Sequence, residues 1–297
     1  MRLLVIVLAW VLRRQLDARG RMDPAQWQRR LFQHAPSDRG DGRATPLFWL
    51  IPGYVLVVTL LAIVSWGTGG FLGGLVASLI ALIFMVTAMG MPEWRNLLEE
   101  YGQAWRAGEM QRAWRAVSHL LPADRRGSAL SPEVLHLELA AAFIHTSFER
   151  YFLPLFWYAL LGPAGLLLIL VALAIRDHYP STMVREVFRS WVDRLAWAPG
   201  WLLSFSFAIA GDLSGWLSEK GYRRCSPGES RYECLLRGAG AALSSYALDP
   251  ARFEQHHPQD WPDFGDRSLT AVRNLLNRSM LVWLALLAVL AIMGVLP

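Results

Sequence analysis

The chain has 297 residues, 54% apolar and 18% charged, with 14 Trp, a net charge of +5 and a mean hydropathy of +0.28. A water-soluble domain of this size rarely averages so apolar, and the composition points to an integral membrane protein. Every basic residue but Lys220 is Arg; no GxxxxGK, no GxGxxG after a strand and no GxSxG occurs, which excludes the standard phosphate-cradling loops and a serine-hydrolase elbow.

In chain order, LLVIVLAWVL (3–12) is too short to cross a bilayer. RRQLDARGR follows it, with no small-x-small cleavage site, so it reads as an uncleaved helix, half-inserted or packed on the core. Residues 13–45 are Arg-rich, with a short amphipathic helix at DPAQWQRRLFQH. Two uncharged runs follow, 46–66 and 69–92, long enough to span. The spacing of Trp94, Leu97, Leu98, Tyr101, Trp105 and Met110 predicts a soluble helical hairpin over 93–120, joined near Gly108. Ser131 as N-cap and Pro132 at the first helical position open a helix that leads directly into a further clean run, 151–175. Amphipathic helices are expected at 181–196 and 229–248, and a polar loop at 249–268. The segment 197–217, with Asp212 and several Ser and Gly, could cross, dip or lie at the interface; 279–297 closes the chain as a span. No strand alternation is present, so the expected fold is all-α: a polytopic membrane helical bundle with amphipathic cytoplasmic helices.

The basic residues sort this arrangement by side. Eight lie in 13–43, seven in 93–150, four in 176–196 and nine in 218–278. With 13–43 inside and five crossings, only the four in 176–196 face out, as the excess of Arg and Lys in cytoplasmic loops requires. The expected organisation is therefore 1–44, a short apolar helix and Arg-rich cytoplasmic segment; 45–92, a transmembrane hairpin; 93–150, a cytoplasmic helical insert; 151–217, a transmembrane helix, an amphipathic helix and a second membrane segment; 218–278, a cytoplasmic helical region; and 279–297, a C-terminal transmembrane helix. Nucleic acid is not an expected partner. Cys225 and Cys234 on the cytoplasmic side are expected as reduced thiols; a disulfide would argue for the opposite side.

The polar residues that carry chemistry begin with ELAAAFIHTSFER (138–150). On a helix, His145 and Glu149 fall within about 20° of Glu138, so the three share one face, with Arg150 next in the chain. A carboxylate beside an imidazole can serve acid–base catalysis, a pH switch or ligand binding; the structural alternative is a face that meets water or pairs with another helix. Asp193 precedes the fifth run beside Arg194, and Asp212 sits within it, where it is either a functional carboxylate in an apolar setting or the cap of a half-helix. FEQHHPQDWPDFGD (253–266) clusters acids with His256 and His257, but adjacent histidines share no helix face and no HExxH spacing occurs, so no metal site is expected. The tryptophans sit mostly at the predicted membrane ends, as aromatic belts do. No cofactor is indicated.

FERYFLPLFWYALLGPAG (148–165) and, about 40 residues on, VDRLAWAPGWLL (192–203) resemble the PLFW and W-x-P segments of the CobD/CbiB superfamily. That superfamily holds the membrane enzymes of cobalamin side-chain attachment and the AmpE proteins linked to β-lactamase regulation. Where the cobalamin-type members carry EN..D and NTLDSM, this chain reads HTSFERYF and AIRDHYPSTM, and it resembles the AmpE branch more closely. The resemblance implies an inner-membrane protein associated with β-lactamase induction and peptidoglycan recycling, with a cytosolic anhydro-muropeptide amidase as partner. It comes with no catalytic mechanism, and whether the chain is an enzyme stays open. The expected site is a cytoplasm-facing cavity lined by Glu138, His145, Glu149, Arg150, Asp193 and Asp212 that binds a small polar or amphiphilic ligand, cell-wall-derived or nucleotide-like. The alternatives are a membrane ligase or transferase related to adenosylcobinamide-phosphate synthase, and a scaffold that binds a partner through Arg106, Arg112 and Arg115; a homodimer is compatible with each.

Overall fold

A computed structural model describes residues 2–18, 71–120, 131–218, 230–243 and 247–294, and the described residues are helical throughout, without strands. The amphipathic helix expected after residue 20 and the run 46–66 lie outside them. The chain divides into two compact units, one formed by residues 1–91, 150–199 and 286–297, the other by 92–149 and 200–285.

In the first unit, α1 (Arg2–Ala18) packs along α2 (Phe71–Ala88). The 3–12 stretch is thus part of a longer helix whose inner stripe is Val5, Ile6, Ala9 and Arg13. Arg13 is 1% exposed. Its Nη1 donates to the Val86 carbonyl at 3.3 Å and its Nη2 pairs with Asp17 at 2.8 Å, while the Tyr151 hydroxyl donates to Asp17 at 2.8 Å. Gly90, at φ +116°, makes the space: a Cβ there would lie 1.8 Å from Nε of Arg13.

The uncharged run 151–175 is not one rod. It contains α6 (Leu153–Leu161), then Gly162 at φ +68°, then α7 (Pro163–His178). A Cβ on Gly165 would sit 2.2 Å from the carbonyl oxygen of Trp157, eight residues earlier. In a straight helix those positions are about 12 Å apart, so the chain reverses at Gly162–Pro163. The Arg2 guanidinium accompanies this turn, donating to the Ala159 carbonyl at 3.1 Å, where the last carbonyls of α6 lack helical partners. At 1.5 Å per residue α6 and α7 measure about 14 and 24 Å, each short of the ~30 Å hydrocarbon core. α7 packs against α2, α6 and α8 (Thr182–Leu195), and Ala164, Leu166, Ile169, Leu170, Ala172, Leu173, Ala174 and Ile175 are all buried in protein.

In the second unit, α3 (Pro92–Arg106) and α4 (Met110–Val117) form the expected hairpin, with Gly108 at φ +71° between them. α5 (Pro132–Ser147) starts where expected: the Ser131 hydroxyl accepts from the Val134 N–H at 3.4 Å, and Pro132 follows. It is buried around most of its girth, and a π-helical turn, Phe148–Phe152, continues it. The segment 197–217 is two helices, α9 (Trp197–Ala210) and α10 (Leu213–Ser218), and α10 packs on α11 (Arg231–Ala242). The expected polar loop at 249–268 is instead α12 (Pro250–His256), a 3₁₀ turn (Pro258–Asp263) and the start of α13 (Phe264–Ile292). Asp249 explains the difference, since its carboxylate accepts from the Arg252 N–H at 3.1 Å with Pro250 at the first helical position.

Two helical stretches, Gly74–Arg106 and Pro258–Ile292, are long and apolar enough to cross a membrane, with 28% and 33% of their apolar windows buried inside the protein. The core helix of a soluble protein would be mostly buried.

Candidate functional site

Three of the sequence-selected residues lie on α5 and the turn that follows it, two of them, Glu138 and His145, against Tyr232 of α11. Glu138 is 8% exposed. The Tyr232 hydroxyl, from the first turn of α11, donates to the Glu138 backbone carbonyl at 2.6 Å and stands 3.2 Å from its Oε2. The same phenol ring lies 5.9 Å, centroid to centroid, from the imidazole of His145. One turn on, His145 Nε2 and Glu149 Oε1 are 3.9 Å apart, both half-buried. This is ion-pair range but longer than a hydrogen bond, a spacing that a ligand donor or a water could bridge. Two carboxylates, an imidazole and a phenol thus converge on one helix face. They can accept hydrogen bonds from a ligand and can exchange a proton between His145 and whatever lies beside Glu149.

Asp212 stands apart from this cluster. It is exposed and opens α10, its Oδ1 accepting from the Ser214 N–H at 2.9 Å, as a helix cap does. Its own N–H donates to the Ala242 carbonyl at the far end of α11, about 15 Å along that helix from Tyr232. Arg150, half-buried, and Asp193, exposed on α8, belong to the first unit, whereas Glu138, His145, Glu149 and Asp212 belong to the second.

Tyr232 is absent from the sequence-derived set, because nothing local marks one tyrosine of ESRYECLL as the partner of a residue 94 positions away. The second omission is His136, which is fully buried on the opposite side of α5. Its Nδ1 lies 3.1 Å from the Tyr101 hydroxyl and its Nε2 2.8 Å from Ser268 Oγ. The rings of Phe264 and Trp105 lie 4.8 and 5.5 Å away. Burial among these rings depresses its pKa to about 3, so the imidazole is neutral, donating to one hydroxyl and accepting from the other. A neutral histidine with both nitrogens engaged is a fastening of α5 to α3 and α13.

The acidic cluster of 253–266 is committed to arginines: Arg267 pairs with Asp260 at 2.7 Å, and Arg106 pairs with Asp266. Among the described residues no group of three or more His, Cys, Asp or Glu is placed to hold a metal ion. Cys234 is disulfide-bonded, which corrects the expectation of a reduced thiol; the chain's other cysteine, Cys225, lies outside the described residues.

The described residues therefore define an all-helical protein with two helices able to cross a membrane and a carboxylate–imidazole–phenol cluster on α5 and α11. No family model, curated protein or solved structure matches the chain.

Proposed function

We propose that the chain is a multi-pass inner-membrane protein that binds a small polar or amphiphilic ligand at Glu138, His145, Glu149 and Tyr232. Following the resemblance to the AmpE proteins, it would act as a sensor in β-lactamase induction and peptidoglycan recycling. The observation that carries the binding site is the Tyr232 hydroxyl set against the backbone carbonyl and Oε2 of Glu138, on the same helix face as an imidazole and a second carboxylate. The membrane reading is supported by a helix whose exposed residues are all apolar while its serines are buried with its inner apolar residues. On α9, Ser206 accepts from the Trp283 indole at 2.8 Å and Ser204 from the Trp216 indole at 3.4 Å, while Trp201, Phe205 and Ile209 face outward. A helix in water shows the reverse pattern.

The test is thermal unfolding of the full chain in detergent with anhydro-muropeptides as the probe. Saturating probe stabilises the parent by about 2.7 kcal/mol at one hundred times its Kd, and Glu149→Gln loses that gain. No shift in the parent, or an equal shift in the variant, sinks the proposal.

The side of the membrane has a second reading, favoured by one observation. With five crossings the Arg distribution would put 218–278 in the cytoplasm, whereas a disulfide at Cys234 belongs to an oxidising compartment. Because Cys234 is buried, alkylation of cells lysed directly into denaturant and maleimide, with and without prior reduction, separates them. A cytoplasmic site leaves Cys234 open to the maleimide without reductant; an extracytoplasmic one requires reductant first.

A further inference from the structure

α1 is apolar on its outward face as well as its inward one. Leu4, Val7, Leu8, Val11 and Leu12 are exposed, Leu4 at 69%. Their spacing of i, i+3, i+4, i+7 and i+8 is the broad stripe that a helix in water turns toward its core. The inner face, Val5, Ile6 and Ala9, is apolar as well and ends on Arg13, seated on the Val86 carbonyl and Asp17. At the other end Arg2 is also drawn in, onto the Ala159 carbonyl. No charge lies between them, so both cations that bound the apolar stretch are satisfied by protein groups and the outward surface is purely hydrocarbon. A patch of this kind is not left to water.

What covers it is indicated by the neighbour. α1 packs along α2, whose outward residues Leu75, Val76, Leu79, Ile80 and Ile83 belong to a stretch long enough to cross a membrane. We infer that α1 is embedded in the bilayer beside α2, with its Leu4–Val7–Leu8–Val11–Leu12 face against lipid acyl chains. The ten uncharged residues 3–12 extend about 15 Å, one leaflet of the hydrocarbon core. Arg13 is then a buried cation that anchors the inserted helix to α2 rather than snorkelling to water. The inference rests on the membrane reading of α2 and extends it to a helix too short to span.

The experiment compares Leu8→Cys, Leu79→Cys on α2 and Gln111→Cys on the exposed face of α4. Each is labelled with bimane maleimide without reductant, against the unsubstituted chain as background, and reconstituted in phosphatidylcholine–phosphatidylglycerol vesicles. Nitroxide placed mid-chain on the lipid should quench bimane at 8 as strongly as at 79 and leave 111 unchanged, with iodide quenching only 111. Quenching at 79 but not at 8 overturns the inference and leaves the membrane reading standing, whether position 8 is open to iodide or shielded from it by protein. Absence of lipid quenching at both positions overturns both. Equal unfolding temperatures for the three variants and the parent establish that the labelled chains are folded.

Discussion

α2 and the apolar part of α7 are closely alike as strings, FLGGLVASLIALIFMVTA against PAGLLLILVALAI, yet they occupy opposite situations. α7 is enclosed by α2, α6 and α8, and none of its apolar side chains is exposed. α2 leaves Leu75, Val76, Leu79, Ile80 and Ile83 uncovered. The surroundings of α7 are protein, whereas the outward side chains of α2 meet whatever lies beyond the protein. An all-round hydrophobic helix reports a dry environment without saying which one, and only the neighbours decide.

The largest effect that could break this comparison comes from matched truncations. Ile169 in α7 is fully buried, so Ile169→Ala should lower stability by about 2–5 kcal/mol through lost transfer energy and an unfilled cavity. Ile83 on α2 is 55% exposed, and Ile83→Ala should change the stability of the detergent-solubilised chain by less than about 0.5 kcal/mol. Thermal unfolding of both variants measures the difference. Equal losses would mean that the outward stripe of α2 is packed against protein.

That contrast also marks how far the sequence was legible. Element type and most helix starts follow from local chemistry: Ser131–Pro132, Ser181 and the Gly108 joint are all where capping and turn rules put them. The reversal at Gly162 was readable only in part. Gly-Pro signals a break, but a bilayer tolerates proline in a spanning helix, and what decides for a hairpin is Gly165 lying against the Trp157 carbonyl, a tertiary contact. The shared face of Glu138, His145 and Glu149 follows from helix periodicity alone. Tyr232 does not, because pairing between helices distant in the chain depends on packing. His136 sits two residues from Glu138, on the other side of α5, and its hydroxyl partners are 35 and 132 positions away.

The two histidines of α5 carry the same comparison to polar side chains, with an intermediate effect. His136 is held neutral by burial, its pKa lowered to about 3, whereas in the unfolded chain it titrates near 6.5. Below pH 6.5 the unfolded state binds a proton that the folded state refuses, so stability should fall as pH drops from about 6.5 toward 3, by about 1.4 kcal/mol per pH unit. Denaturant unfolding of the parent and of His136→Gln, whose amide can both donate and accept, isolates this contribution from the carboxylates. The difference between the two should grow toward acid. Parallel pH profiles would mean that His136 reaches solvent and that the aromatic enclosure by Trp105 and Phe264 is looser than its geometry.

The smallest effect concerns Asp212, the residue whose cost in an apolar segment made it a functional suspect. Its surroundings make that cost small: it is exposed, and its carboxylate caps a helix of six residues. Asp212→Ala should cost about 1 kcal/mol, the ordinary worth of a helix cap, and should leave ligand-dependent stabilisation intact, because Tyr232 and Glu138 lie toward the other end of α11. Asp212→Asn, which keeps a side-chain oxygen for the Ser214 N–H, should recover most of the loss. If Asp212→Ala instead abolished stabilisation by the anhydro-muropeptide probe while Asp212→Asn failed to restore it, the carboxylate charge would be acting on the ligand. The site would then extend along α11 beyond the α5 face.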